Sequence, residues 1–557
     1  MTKRLARHLP FLAWSALAFT VLFWRLGAAS FWDPDEAHYA QTTRELITTG
    51  NWLTPYYNDQ PFFDKPILFH WLQALPMAVL GSTETAARLV PAIAALAIVG
   101  FTWWLGAALV SSEVGFVAAL LLTVNPALVA LARYAILDTV FTMFLFGGLA
   151  MLTVAMLRDR PRLQWIGYPF LGLATFTKGP IALALCACAL LLLMLLSRDM
   201  RHRLVALRWA PGLAVIVVLS APWFVYMSYR YKSTFLDAYF LDENLKLFTG
   251  ARFANGPPWW FYLQVVATAL LPWTAMLVGR LYDDVSGIVR GRRLDTFEIA
   301  LWLWPASVIG LFSTSSFKLD HYVFPAAPAL CLLCARAWHD VRHGESIHTR
   351  GARLGARLVG IVLVVAGVVL SFVMVERLDL PEAALFVPLA ILACGVADAV
   401  GWFWVRPPSE MPWIAVAAMT AIYVGALVWV VPAFEEQKVV HDLARWVVAA
   451  AEPEDRVGAY RLNRWSATFR FYVNRHVTFL EREDTTPAFI EEPGRVYCIM
   501  RGTDVARLEA RGAHLQIVQA RSGMSVTSGM ALWREKSAPT RFVVVTHAEP
   551  RHKRGRG

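Results

Sequence analysis

Six carboxylates, two histidines and a lysine share one polar stretch, residues 32–71, WDPDEAHYAQTTRELITTGNWLTPYYNDQPFFDKPILFHW. Asp33, Asp35 and Glu36 crowd its start, His38 follows, and Asp64-Lys65-Pro66 stands near its end. Further along, LARYAILD carries Arg133 and Asp138, TKGP carries Lys178, and STSSFKLDHYVFP carries Lys318, Asp320, His321 and Tyr322. Carboxylates can orient or deprotonate a hydroxyl or amine nucleophile, and lysine or arginine can neutralise a departing phosphate. Residue types of both kinds therefore occur in short polar segments of an otherwise apolar chain.

The first of these segments reads as a helix start. Asp33 suits the cap, Pro34 the first turn, and Glu36, three residues after the cap, a bond back to it. The helix is expected to run to about Thr49 and to stop at Gly50. Capping accounts for Asp33 and Glu36 but leaves Asp35 unexplained, so Asp35 is the favoured functional carboxylate. Lys178 beside Gly179-Pro180 is a single charge in an apolar neighbourhood, which calls for a negative partner, either a ligand or a protein carboxylate. Arg133 and Asp138 have a structural alternative, an ion pair with an outer-loop residue.

The elements that must hold these residues are membrane helices. The chain has 557 residues, 57% hydrophobic and 17% charged, with a mean hydropathy of +0.47. Apolar runs long enough to cross a bilayer recur, and the count is about 13. They lie near residues 11–27, 86–110, 115–131, 138–157, 165–177, 179–197, 210–228, 259–279, 299–315, 321–337, 356–375, 383–403 and 412–432. Residues 67–80 are apolar too, but Pro66, His70, Gln73 and Pro76 mark an interfacial or broken segment.

With the amino end inside, the basic clusters at 158–162, 198–208, 280–293 and 336–357 all fall in inner loops. The net charge of +11 is explained by topology and anionic lipid, and no nucleic-acid partner is needed. Cys331 and Cys334 have a redox-like spacing but fall in an apolar run without further ligands. After residue 432 the composition changes. Helix signals around 435–450 precede strand-like runs RVGAY, HVTFL, RVYCIM, LQIVQA and RFVVVTH, with helical patches near Thr468 and Val505. Two domains are expected, a membrane domain over 1–432 and a small soluble α/β domain over 433–557, placed outside by the odd number of spans.

On this topology Asp35, His38, Asp64, Lys65, Arg133, Asp138, Lys178, Lys318 and His321 all land on the outer side. A proton-coupled transporter would carry essential charges near the middle of its helices. Gathered at one boundary, the charges suit an enzyme whose phosphate substrate keeps its hydrocarbon tail in the membrane.

PDEAHYAQTTRELITTGNWLTP, FFDKPILFHW, RYAILD, TKGP and SFKLDHYVFPAAP, in that order, resemble the bacterial polyprenyl-phosphate-sugar transferases related to the 4-amino-4-deoxy-L-arabinose lipid A transferase and, more distantly, to protein O-mannosyltransferases. The resemblance covers residues 30–330 in motif content, 331–432 through topology, and is weak over the soluble end. It implies a GT-C fold and inverting transfer from a polyprenyl-phosphate-linked sugar to an envelope lipid, glycan or protein at the outer face of the bacterial cytoplasmic membrane. It implies Asp35 as the leading catalytic carboxylate, Asp138 as a second, and Asp64 as a metal-associated one. Lys65, His38, Arg133, Lys178 and Lys318 are then the candidates for the donor phosphate, and Glu36 joins Asp64 as a candidate ligand of a divalent ion. Three departures stand out: His38 replaces an arginine, Gln41 an acidic residue, and Asp64 a glutamate. They argue against assigning the arabinose donor by default. A monomer is expected, and a polyprenyl-linked transporter or flippase is the alternative.

Overall fold

The computed structural model describes residues 2–32, 34–250, 256–343, 349–377, 382–404, 411–523 and 539–547. Asp33, expected to cap the first outer helix, lies outside the described residues. The chain divides into two compact units. The first comprises Met1–Leu26, Phe62–Gly81 and Thr85–Leu427, and the second Gly27–Pro61, Ser82–Glu84 and Val428–Gly557.

The first unit is helical. Seven helices among the described residues are long and apolar enough to cross a membrane, or up to nine if each of two bent pairs is one span. Both bends fall where the sequence breaks the backbone ladder. Asn125 caps the helix Pro126–Ala132 through the Leu128 N–H, with Pro126 in its first turn, and the helix Ser112–Thr123 meets it at 61°. Helices Phe261–Ala269 and Thr274–Val289 meet at 116° around Leu271-Pro272, so the run expected over 259–279 is not one straight helix. Residues 321–337 also differ: Asp320–Ala326 form a 3-10 turn, and the α-helix runs Ala327–His343. Leu68–Leu80 is a short helix carrying Pro76.

Buried Arg280, midway along Thr274–Val289, pairs with Asp284 of the same helix at 2.9 Å, with Asp340 near the end of Ala327–His343 at 2.6 Å, and with Glu298 at the start of Thr296–Ser313. A buried guanidinium is tolerable because carboxylates surround it on several sides.

The second unit has its own core. A hairpin of β1 (Tyr56–Tyr57) and β2 (Gln60–Pro61) turns through Asn58 and Asp59, both at positive φ of 52° and 65°, as two-residue hairpin turns require. Glu45 accepts both turn N–H groups, at 2.9 and 3.0 Å, and is itself held by Arg470 at 2.9 Å.

The main sheet holds β3 (Arg456–Tyr460), β4 (Thr478–Leu480), β5 (Val496–Arg501), β6 (Leu515–Gly523) and β7 (Thr540–His547) in the order β4-β3-β5-β7-β6. β3 pairs parallel with β4 and β5, and β7 pairs antiparallel with β5 and β6. Its side chains alternate between two cores. Val457, Tyr497, Ile499, Phe542 and Val544 pack with the helices Val439–Ala450 and Ser466–Val473. Tyr460, Cys498, Met500, Val543 and Val545 face the other way, with Val505 and Leu508. All five strand-like runs read from the sequence are strands here.

Candidate active site

Within the first unit, Asp138 is the centre of a charge cluster. It opens the helix Asp138–Leu157, where the exposed N–H groups of the first turn favour an anion. One carboxylate oxygen lies 2.5 Å from Lys178 Nζ and the other 3.8 Å from His321 Nε2. Lys178 ends the helix Gln164–Lys178, and Gly179 follows at φ 81°. A Cβ at Gly179 would meet the Tyr239 hydroxyl at 2.1 Å, so this turn admits only glycine. The Lys178 ammonium also sits 4.6 Å from the Tyr322 ring and 5.3 Å from that of Phe141, contacts that favour a cation.

Lys65 belongs to the same neighbourhood, since its charge acts on both Asp138 and Lys178. Its Nζ donates to the Asp64 carbonyl at 3.0 Å and lies 3.4 Å from Glu243 Oε2. Glu243 lies in the π-helical segment Leu236–Lys246. Sequence reasoning missed it, and its signal, DEN among aromatic residues in a mixed loop, was weak. Asp320 is held below the ordinary carboxylate range chiefly by its side-chain hydrogen bond with His321.

Two other expected phosphate ligands are engaged by backbone. Lys318 donates to the carbonyls of Pro257 at 3.1 Å and Ser315 at 2.5 Å. Arg133 donates to those of Val21 at 3.3 Å and Arg25 at 2.9 Å, and Arg88 to that of Leu26 at 3.1 Å. These arginines satisfy carbonyls in the last turn of the first helix, Thr2–Leu22, and just past it. Burial, with Arg88 and Arg25 nearby, brings the Arg133 pKa down to about 10.

In the second unit the helix Asp35–Thr49 stops at Gly50 in the left-handed conformation, as expected. Glu36, fully buried, accepts the Trp32 N–H at 2.9 Å. The helix starts at Asp35 after Pro34, with no side-chain cap, so Glu36 stands second in it rather than three positions after a cap residue, and it holds the Trp32 N–H. Asp35 is partly exposed in the first turn. His38 keeps some surface, but its ring lies 3.9 Å edge-on from Tyr57, and desolvation lowers its pKa to about 4.

One group of three or more metal-capable side chains occurs among the described residues, Glu113, His339 and His343, with ligand atoms within 4.8 Å of one another. Asp64 and Glu36 do not belong to it.

Apolar helices of membrane-crossing length, in one chain with a mixed-sheet domain, make up a GT-C-like fold. Beyond the fold, the chain is similar to arabinosyl transferases and, over part of its length, to a mannosyltransferase family. Residues 64–226 match the family described as dolichyl-phosphate-mannose-protein mannosyltransferase. The undecaprenyl phosphate-alpha-4-amino-4-deoxy-L-arabinose arabinosyl transferase 1 of Pseudomonas fluorescens is 29% identical over 440 residues, 76% of this chain and 74% of that protein. The crystal structure of ArnT from Cupriavidus metallidurans bound to undecaprenyl phosphate superposes with a TM-score of 0.74 at 20% identity, covering 96% of this chain and 97% of that one. The oligosaccharyltransferase of Archaeoglobus fulgidus shares the fold more distantly, with a TM-score of 0.52 at 11% identity over 89% of this chain and 70% of that one.

Proposed function

We propose that this protein transfers a glycosyl group, with inversion, from a polyprenyl-phosphate-linked sugar to an envelope acceptor such as lipid A, another glycan or a protein. The observation that carries this reading is the Asp138, Lys178 and His321 group at the ends of apolar helices, with Lys65 in electrostatic reach. Such a group can hold a phosphate whose tail stays in lipid.

The enzyme works at the outer face of the bacterial cytoplasmic membrane, as a monomer. About 13 crossings suit this sidedness, reached by counting Pro10–Leu22, Gln164–Lys178, Ile181–Leu196 and Ala327–His343 with the longer helices and the bent pairs. Residues 1–432 form the catalytic membrane domain, and 433–557 an outer-side domain that supports it.

Asp35 aligns or deprotonates the acceptor. A sugar phosphate already carries a good leaving group, so no strong general acid is required. Lys65 and Lys178 balance the phosphate charge as the bond to the anomeric carbon breaks. Asp138 keeps Lys178 charged and aimed. Arg133 and Lys318 shape the phosphate pocket through the backbone they hold. His38, neutral at its lowered pKa, contributes shape and hydrogen bonding in place of charge. Asp64 and Glu36 are the carboxylates proposed for a divalent ion.

The test is mass spectrometry of lipid-phosphate sugars and of the envelope in a strain lacking the chain, joined to transfer assays in liposomes. The donor should accumulate, one sugar should vanish from an envelope component, and the purified chain should restore it. Purified chain that moves a lipid-linked sugar across the bilayer without transferring it would overturn the enzyme reading in favour of a flippase.

A further inference from the structure

The far end of the helix Ala327–His343 carries a second constellation, distinct from the phosphate-facing group. Seventeen residues of α-helix span about 25 Å, and the chain enters this helix directly from the 3-10 turn that holds His321. At its last turns His339 and His343, four residues apart on one face, meet Glu113 in the first turn of the helix Ser112–Thr123.

Glu113 Oε2 lies 3.9 Å from His339 Nε2 and 3.6 Å from His343 Nε2. The imidazole rings are 4.2 Å apart, inclined by 33°. Ligand atoms around a four-coordinate zinc ion are separated by about 3.3 Å, given bonds of about 2.0 to 2.1 Å. The two separations to Glu113 exceed this by a few tenths of an ångström, and all three ligand atoms lie within 4.8 Å of one another, so side-chain rotation is enough to bring them onto one ion.

The ring tautomers suit this arrangement. His343 Nδ1 is 3.0 Å from the His339 carbonyl, which makes Nδ1 the protonated nitrogen and leaves the Nε2 lone pair directed outward. His339 Nδ1 faces Asp340 Oδ1 at 3.8 Å, a carboxylate neighbour of the kind that orients metal-bound imidazole. Glu113 spends its other oxygen, Oε1, on Arg342 at 2.7 Å, which leaves Oε2 for the ion. The alternative is a plain ion pair between Glu113 and Arg342. That pair requires neither histidine, let alone both with their Nε2 atoms turned to the same oxygen.

We propose that Glu113, His339 and His343 bind a divalent transition-metal ion of the zinc class, with water completing its coordination. Two imidazoles and one carboxylate form a borderline donor set that suits zinc over magnesium or calcium. The ion would staple the start of Ser112–Thr123 to the end of Ala327–His343 and thereby stiffen the helix that leads to His321. Its role is structural, and the transfer chemistry lies at the other end.

The experiment uses the full chain, without a polyhistidine tag, purified in detergent and dialysed against EDTA. Retained zinc is measured after adding one equivalent of ZnCl2 and gel filtration. The coordination is read from the visible absorption of bound Co2+. About one ion per chain and a four-coordinate cobalt spectrum are expected, with a saturable zinc-dependent rise in melting temperature of about 2 to 4 °C. Changing half-buried His339 and exposed His343 together, His339→Gln with His343→Gln, should remove all three signals while the metal-free melting temperature stays within about 2 °C of the parent. Arg342→Gln should retain them. Failure of the parent to retain zinc, or equal retention by the double-glutamine chain, would overturn the site and leave an adventitious ion only.

Discussion

Glu243 places a carboxylate oxygen 3.4 Å from Lys65 Nζ, so a carboxylate of the protein itself occupies the lysine proposed for the donor phosphate. The two anions would compete for one cation. Glu243→Gln should therefore tighten donor binding by about 1 kcal/mol, roughly fivefold, as read by titration with undecaprenyl-phosphate sugar. Weaker binding by this variant would make Glu243 a donor ligand in its own right.

Asp138 and Lys178 form a buried pair at 2.5 Å, and removing one partner strands the other in a poorly solvated site. Asp138→Asn or Lys178→Met alone should destabilise the protein by about 3 to 5 kcal/mol. The double change should recover much of that loss yet transfer far more slowly, because Lys65 alone is left to balance the phosphate charge. Melting curves and transfer rates measured on the same preparations separate the two effects. A double variant with parental transfer would remove Lys178 from the site.

Asp35 stands in the first turn of a helix whose start is pinned by the Glu36 bond to Trp32, so its carboxylate direction is set by backbone. Asp35→Asn should cut turnover by about 10² or more if base catalysis dominates, with donor affinity little changed. Equal losses in both would move Asp35 to assembly of the donor site, and near-parental turnover would dismiss it altogether.

His38 should be neutral through the physiological range. Its folded pKa of about 4 lies below the ordinary 6.5, so between these values the unfolded chain binds more protons than the folded one. Stability is then complete above about pH 6.5 and falls as pH drops toward 4. Melting temperatures from pH 4 to 7 should decline more steeply for the parent than for His38→Gln. Parallel declines would mean that His38 is solvated. For the same reason His38→Arg, which forces a fixed charge into a desolvated position, should lower the melting temperature.

Sidedness can be read with single cysteines at exposed positions. Thr49 and Glu509 are both exposed, whereas every native cysteine is buried or partly buried. Thr49→Cys and Glu509→Cys should react with an impermeant maleimide in intact spheroplasts. Labelling that requires lysis would reverse the topology and with it the outer-face reaction.

Much was determined by local sequence, because it depends on near neighbours along the chain. Proline and glycine delimit the helix Asp35–Thr49, apolar runs of bilayer length mark the long helices, and short runs rich in β-branched and aromatic residues mark β3 to β7 in the carboxyl-terminal unit. The grouping of Asp138, Lys178 and His321 was legible in part, since each stands alone at the edge of an apolar run and a lone charge there needs a partner. Which charges pair was decided only by tertiary structure. The partners of Lys65 and Glu45 lie 178 and 425 residues away, and the sequence around Lys318 and Arg133 gives no sign that backbone carbonyls take their donors. Local patterns specify elements because the backbone ladder and the apolar face are short-range. The pairing of charges depends on which helix ends meet, and long-range packing sets that.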